Sequence, residues 1–258
     1  MMYPVVAPSS DVGGPSGYTY ACVLVRLDGV PAGALRTRAE VLAALREIRF
    51  SGWLAQPEDG WVVAVAASGN GTVAAGRRGV VGVGEWLADR LNATVVAVRV
   101  VSDRQLLLAA WLAGEEVGRY VSDPSYGLSD EEDVLPDPLG VEYAAAFAAA
   151  CGHPPAADEL AELLAEQLDP DSVIESERLG ALLRLLQPPR WLVAATALPR
   201  DVPTGPRAAD MTRLGAGVPG VAGWLCGRAV NVIRRRRRPP PAIADPPRGA
   251  AGIDPWVF

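Results

Sequence analysis

The feature that most constrains the fold is a group of three apolar runs that follow one another with almost no chain between them. The runs are ATVVAVRVV at 93–101, LLLAAWL at 106–112 and EVGRYV at 116–121, joined by links of four and three residues. A parallel pair of strands needs a crossover of about a dozen residues or more, whereas a tight turn can join antiparallel strands. These runs are therefore predicted to be neighbouring strands of an antiparallel sheet.

The chain before these runs contains a further strand and a helix. Residues 18–28 are rich in β-branched and aromatic side chains and lead into a turn with glycine and proline, which is typical of a strand. Thr37 and Glu40 have the spacing of a helix capping box. The apolar residues Val41, Leu42, Leu45 and Ile48 follow at helical spacing. A strand followed by an amphipathic helix is therefore predicted here.

Two more apolar runs, at 52–56 and 61–66, are separated by the sequence Pro-Glu-Asp-Gly. This composition supplies turn dihedrals and cannot continue a strand, so it predicts a hairpin. A short helix is predicted at 85–91. The order through residue 121 is then βαββαβββ, which indicates an α+β domain at 18–121 with one mainly antiparallel sheet and helices on one face.

The composition changes after residue 121. Residues 122–137 are acidic and interrupted by proline, and we interpret them as a linker. Residues 138–233 show mainly helical patterns and are predicted to pack on or beside the sheet. Four helices are predicted, at 138–152, 158–168, 172–186 and about 218–233. Asp137 is the predicted N-cap of the first, and Ser172 and Glu175 form a predicted capping box in the third. A strand is predicted at 190–198 and a long loop at 199–217.

The N-terminal region and the cysteines indicate a cytoplasmic location. Residues 1–17 have neither a basic n-region nor a long apolar stretch, so we expect a flexible segment and no standard signal peptide. Cys22, Cys151 and Cys226 are far apart and form no CxxC pair, which favours neither a disulfide framework nor a zinc site. Residues 214–233 are apolar, but Arg228 and Pro219 oppose membrane insertion, so no transmembrane segment is expected.

The strongest segmental charge is a run of five arginines before three prolines. The run consists of Arg234, Arg235, Arg236, Arg237 and Arg238. Residues 231–258 contain six arginines and two aspartates, a net charge of +4. Because the whole chain has a net charge of −6, residues 1–230 carry −10. A disordered, Arg/Pro-rich tail at 234–258 could attract nucleic acid or an anionic membrane surface. All 24 basic residues are arginine, however, which is also typical of a GC-rich bacterial genome.

Five other arginines are candidate ligand-binding residues. They are Arg77 and Arg78 beside a glycine-rich segment, and Arg200, Arg207 and Arg213 in the predicted loop at 199–217. A guanidinium group can bind a carboxylate or phosphate through two hydrogen bonds. The glycine-rich segment at 68–79 precedes a helix, as phosphate-binding loops do, but it lacks the GxGxxG and GxxxxGK[ST] spacings. Solvated surface arginines and internal ion pairs are the alternatives.

No catalytic residue, metal ligand or cofactor is predicted. His153 is the only histidine and lies two residues after Cys151, but Gly152 and the prolines that follow are typical of a helix C-terminus. The acidic residues 130–133 lack the alternate spacing and glycine of an EF-hand, so a solvated linker is favoured over a cation site.

No motif is specific enough to identify a family, and three functional hypotheses remain. The first is a non-enzymatic protein-interaction or regulatory protein, of the kind that bacterial immunity and accessory proteins represent. The second is an enzyme or sensor that binds an anionic small molecule, such as a nucleotide or phosphorylated metabolite, through the glycine-rich segment and the loop arginines. The third is nucleic-acid or membrane-surface association through the arginine run.

Overall fold

The computed structural model describes residues 17–28, 35–69, 71–126, 137–167 and 174–220, together with residues 222, 223, 225 and 229. Eight strands in this part of the chain form one antiparallel sheet with the order β6-β5-β4-β1-β3-β2-β7-β8. Their bounds are β1 Tyr20–Arg26, β2 Gly52–Leu54, β3 Trp61–Ala66, β4 Val95–Val101, β5 Gln105–Leu112, β6 Glu115–Val121, β7 Thr212–Gly215 and β8 Val218–Pro219.

The helices connect and cover these strands. The α-helices with defined bounds are α1 Arg38–Glu47, α2 Val80–Leu91, α3 Ala144–Ala150, α4 Ala157–Ala165 and α5 Glu175–Leu186. Short 3-10 helices occupy Ala75–Arg77, Val141–Tyr143, Pro154–Ala156, Arg190–Ala197 and Ala208–Asp210. When strands and α-helices are counted together and the 3-10 helices are left out, the first eight elements follow the order βαββαβββ. The predicted α+β fold class and its element order are therefore confirmed.

The sheet separates two hydrophobic cores. Alternate β1 residues, including Val23 and Val25, pack with α1 and α2 on one face. Cys22 and Leu24 pack with α3, α4 and α5 on the opposite face. Because helices cover both faces, six of the seven β1 residues are buried. The upstream helices thus lie on one face, as predicted, and the downstream helices cover the other.

Two local predictions rest on short-range chemistry and are confirmed. Thr37 and Glu40 form the capping box of α1, with each side chain accepting a hydrogen bond from the other residue's backbone N–H. Asp59 and Gly60 form a two-residue hairpin turn in which both residues have positive φ, at 49° and 80°. An Asp-Gly pair favours that turn because aspartate tolerates, and glycine readily adopts, the left-handed conformation.

The predicted strand at 190–198 is wrong, because Arg190–Ala197 forms a 3-10 helix. Its buried residues, Trp191, Leu192 and Ala195, repeat at helical spacing, and they pack into the core beside α5. An apolar run of this length fits either a strand or a buried helix, so periodicity alone does not decide between them.

Other downstream predictions also need correction. The capping box predicted for the helix at 172–186 is wrong, because Ile174 is the N-cap of α5, and Val218–Pro219, where a further helix was predicted to start, forms β8. Two more corrections concern the edges of the sheet. The helix predicted to start at 138 begins at Ala144, because Leu139 instead exchanges two backbone hydrogen bonds with Val121 at the end of β6. The predicted loop at 199–217 contains β7, which pairs with β2 through Trp53 and Arg213. In both places the sheet edge offers unpaired backbone groups that short-range sequence patterns do not reveal.

Several predictions fall on residues that are not described. The flexible N-terminus at 1–16, the acidic residues 127–136, Ser172, and the tail with Arg234–Arg238 lie outside the described residues. Within the described ranges, every helix is too short or too polar to cross a bilayer.

Candidate functional site

The structure brings Cys151 and His153 into one cleft with guanidinium groups and carboxylates from distant parts of the chain. The cleft has a volume of about 560 Å³ and lies where the β2–β3 hairpin, the end of β1, the α3–α4 corner and the segment after α5 meet. The polar and aromatic residues that line it are Arg26, Glu58, Asp59, Trp61, Cys151, His153, Gln187, Arg190, Trp191 and Thr204.

Arg26 is the most firmly held charged residue of the cleft. Its Nε and Nη2 donate to the Asp28 carboxylate at 2.6 and 2.9 Å, and its Nη1 donates to the Ala150 carbonyl at 3.3 Å. The guanidinium carbon also lies 5.7 Å from the centre of the Trp61 ring. Arg26 therefore ties the end of β1 to the end of α3, and its charge is already balanced by Asp28.

The helix end at Gly152 fits around this arginine. Gly152 has a φ of 77°, and its N–H donates to the Ala149 carbonyl while the His153 N–H donates to the Ala148 carbonyl, which confirms the predicted glycine at the helix C-terminus. A Cβ at Gly152 would lie 2.4 Å from Arg26 Nη1. The positive φ therefore favours glycine, and a larger residue here would also displace the guanidinium group.

A second contact joins the other two walls of the cleft. The indole Nε1 of Trp191 donates to Glu58 Oε2 at 2.8 Å. Trp191 and Trp61 are both almost fully buried. This hydrogen bond satisfies the only polar atom of the Trp191 side chain and fixes the β2–β3 hairpin against the segment after α5.

Three other side chains in the cleft remain available. Asp59, His153 and Arg190 have no side-chain hydrogen bond and no ion pair with any part of the chain that the structure describes. Asp59 and Arg190 are exposed, and His153 is half-buried. The cleft therefore presents a carboxylate, an imidazole and a guanidinium group that the fold itself does not use.

Cys151 is not suited to nucleophilic chemistry. Complete burial raises the pKa of its thiol to about 12, even though the positive charge of Arg26 acts in the opposite direction. The nucleophile in cysteine catalysis is the thiolate, and a thiol with this pKa is protonated at neutral pH. Cys151 is accordingly a packing residue at the floor of the cleft.

The arginines that the sequence singled out lie elsewhere. Arg77 is exposed, whereas Arg78 donates to the Ala75 carbonyl at 3.0 Å and stacks over Trp86 at 5.4 Å. Arg213 lies on β7 and stacks over Trp53 at 5.5 Å. Arg200 and Arg207 are exposed. None of these five residues lines the cleft, whose arginines are Arg26 and Arg190.

Apart from the neighbouring Cys151 and His153, no local signal in the sequence points to the residues of the cleft. Arg26 is the last residue of a buried strand, Asp59 occupies a turn, and Arg190 follows two prolines, so each has an ordinary structural explanation by itself. Their association depends on the packing of the downstream helices on the sheet. Within the described ranges, no group of three His, Cys, Asp or Glu residues is arranged to hold a metal ion.

A second polar cluster lies at the N-terminus of α5, but it is buried. Glu175 and Arg178 are 2% and 5% exposed, and Arg178 Nε lies 3.4 Å from Glu175 Oε2. Arg178 also donates to the Tyr120 hydroxyl and, at 3.4 Å, to the Leu164 carbonyl. Burial raises the pKa of Glu175, an effect that Arg178 and a hydrogen bond with Ser122 oppose. This cluster is closed to ligands and holds α5 against β6 and the end of α4.

Comparison of the chain with protein-family models, curated proteins and solved structures finds no match.

Proposed function

We propose that this protein binds a small zwitterionic molecule, with a carboxylate and an ammonium group, in the cleft between the β2–β3 hairpin and the segment after α5. The observation that carries the proposal is that Asp59, His153 and Arg190 line one cleft and have no partners among the described residues. Unsatisfied polar groups that converge in a concave site are typical of ligand-binding pockets.

The charges of the cleft favour a ligand that carries both signs. Arg26 and Arg190 supply two positive charges, and Glu58 and Asp59 supply two negative charges. Because Arg26 is also paired with Asp28, Arg190 is the cation available to a carboxylate. Asp59 is the carboxylate available to an ammonium group, and Glu58 lies beside it in the same hairpin. A nucleotide or other polyanion would meet these two carboxylates and is less favourable here.

The size of the cleft agrees with a small molecule. Its volume of about 560 Å³ lies within the range of about 300–1,000 Å³ that is common for ligand pockets. The walls are held by the Arg26–Ala150 and Glu58–Trp191 contacts, so the site is largely formed before a ligand binds. The Cys151 thiol, whose pKa burial raises to about 12, lines this preformed site as a packing residue.

Isothermal titration calorimetry with a panel of free amino acids, dicarboxylates, diamines and nucleotides tests this proposal. We expect heat of binding from at least one amino acid and none from the matched dicarboxylates and diamines. A ligand at about 100 times its Kd should also stabilise the fold by about 2.7 kcal/mol. Binding of nucleotides alone, or of no member of the panel, would contradict the proposal.

Charge-neutral variants locate the site. Asp59→Asn and Arg190→Gln should each remove one charge-assisted hydrogen bond, which contributes about 1.5–3 kcal/mol, and should weaken binding about 10- to 100-fold. Asp158→Asn and Arg184→Gln are matched controls, because both residues are exposed and lie outside the cleft. Equal effects in the cleft variants and the controls would place the ligand elsewhere.

A further inference from the structure

A separate groove on the helical face of the molecule combines an apolar floor with an acidic edge. It lies between α4 and α5 and has a volume of about 620 Å³. Leu163, Ala181 and Leu185 form the floor, and Glu159, Glu162 and Glu166 line it on the α4 side. Within the described part of the chain the groove is open to solvent, and Leu163 and Leu185 are half-buried at its base.

Glu159 and Glu162 lie on one face of α4, and Glu166 is the C-cap residue that follows the helix. Glu159 and Glu162 are three residues apart and therefore neighbours on the helix, where like charges destabilise one another. Glu159 lies in the first turn and benefits from the helix dipole, but Glu162 and Glu166 lie at the C-terminal end, where a negative charge is unfavourable. None of the three has an ion-pair partner in the described part of the chain.

We propose that this groove binds an amphipathic helical segment of another protein that carries arginine or lysine beside its apolar face. The apolar residues of such a segment would cover Leu163, Ala181 and Leu185, as in helix-in-groove recognition. Its basic residues would pair with the glutamates of α4 and remove the repulsion between them. Nucleic acid and anionic lipid do not fit, since their phosphates would face three carboxylates.

A fluorescence anisotropy titration of the full chain tests the proposal. The probe is a labelled synthetic helix of about 15 residues with leucine and alanine on one face and arginine on its flanks, long enough to be helical and to span the groove. A peptide of the same length with glutamate in place of arginine is the negative control. We expect saturable, salt-sensitive binding of the basic peptide alone.

Two triple variants separate a groove effect from a net-charge effect. Glu159→Gln, Glu162→Gln and Glu166→Gln together should weaken binding about tenfold, since three exposed ion pairs are lost. Glu85→Gln, Asp89→Asn and Glu142→Gln change the net charge equally at exposed residues outside the groove and should leave binding unchanged.

A single variant tests the apolar floor of the groove. Ala181→Arg, which places a bulky cation on the floor, should abolish binding while the thermal unfolding midpoint stays close to that of the parent.

Three outcomes would overturn the proposal. The first is the absence of saturable binding by the basic peptide. The second is equal weakening in both triple variants, which would show non-specific attraction by net charge. The third is binding that emerges only after Arg234–Arg238 are all replaced by serine, which would show that the chain's own arginine run occupies the groove. Each result is independent of the cleft, because none of the groove residues lines it.

Discussion

The buried pair of Glu175 and Arg178 provides a direct test of how α5 is held on the sheet. Replacing Arg178 with methionine keeps most of the side-chain volume but removes the positive charge and the hydrogen bonds to the Tyr120 hydroxyl and the Leu164 carbonyl. Glu175, at 2% exposure, then loses the cation that lies 3.4 Å from its Oε2. Removing one partner of a buried ion pair destabilises a protein by about 3–5 kcal/mol, which is the loss we expect.

Replacing both partners should have a much smaller effect. Arg178→Met combined with Glu175→Leu leaves no buried charge, and apolar replacements of buried pairs are often neutral or stabilising. Urea unfolding, followed by circular dichroism, measures the free energy of unfolding of the parent, the two single variants and the double variant. We expect a coupling energy of about 2 kcal/mol or more between the two positions. A loss below about 1 kcal/mol for Arg178→Met, or a double variant no more stable than that single variant, would refute this reasoning.

Two further predictions concern groups whose pKa is raised by burial. Because the pKa of Glu175 is higher in the folded than in the unfolded state, this residue stabilises the fold at low pH, and the stabilisation is lost as the pH rises above the ordinary value of 4.5. The Glu175→Gln variant should therefore become more stable relative to the parent as the pH rises, which thermal unfolding at several pH values measures. A stability difference that does not change with pH would contradict this. Burial raises the pKa of the Cys151 and Cys22 thiols to about 12. In the Cys226→Ser variant, both thiols should react with iodoacetamide only as fast as local or global unfolding exposes them. Rapid labelling of Cys151 in the native protein would instead indicate a nucleophilic thiol.

The order of the elements in the sheet domain could be predicted because local sequence patterns determine most of these elements. The β4–β5 and β5–β6 links are too short for anything except antiparallel pairing, and the Asp59-Gly60 turn determines the hairpin before β3. The position of β1 between β3 and β4 was not predicted, because its pairings, such as Cys22 with Val65 and with Val98, join distant parts of the chain. The sequence patterns of these strands agree with their final environment.

The downstream half was harder to predict because long-range contacts decide it. Arg190–Ala197 is apolar enough for a strand, but it packs against α5 and against β1, which is already paired with β3 and β4, and Trp191 donates to Glu58. β7 is polar at Thr212 and Arg213, so it is recognised as a strand only through its pairing with β2. The cleft depends on these same contacts, which explains why none of its charged residues could be selected from the sequence.

The helix α5 connects the polar features of the downstream half, and its position explains their different roles. Its N-terminal residues, Glu175 and Arg178, are buried and paired with each other, so their charges are not available to ligands. Its outer face supplies Ala181 and Leu185 to the acidic groove, and the segment after its end supplies Arg190 to the cleft. A charged side chain can act on a ligand only where the fold leaves it both accessible and unpaired. Within the described ranges, Arg190, His153 and Asp59 in the cleft and the glutamates along the groove are both accessible and unpaired. The charged residues around Tyr120 are buried and paired, so they cannot act on a ligand.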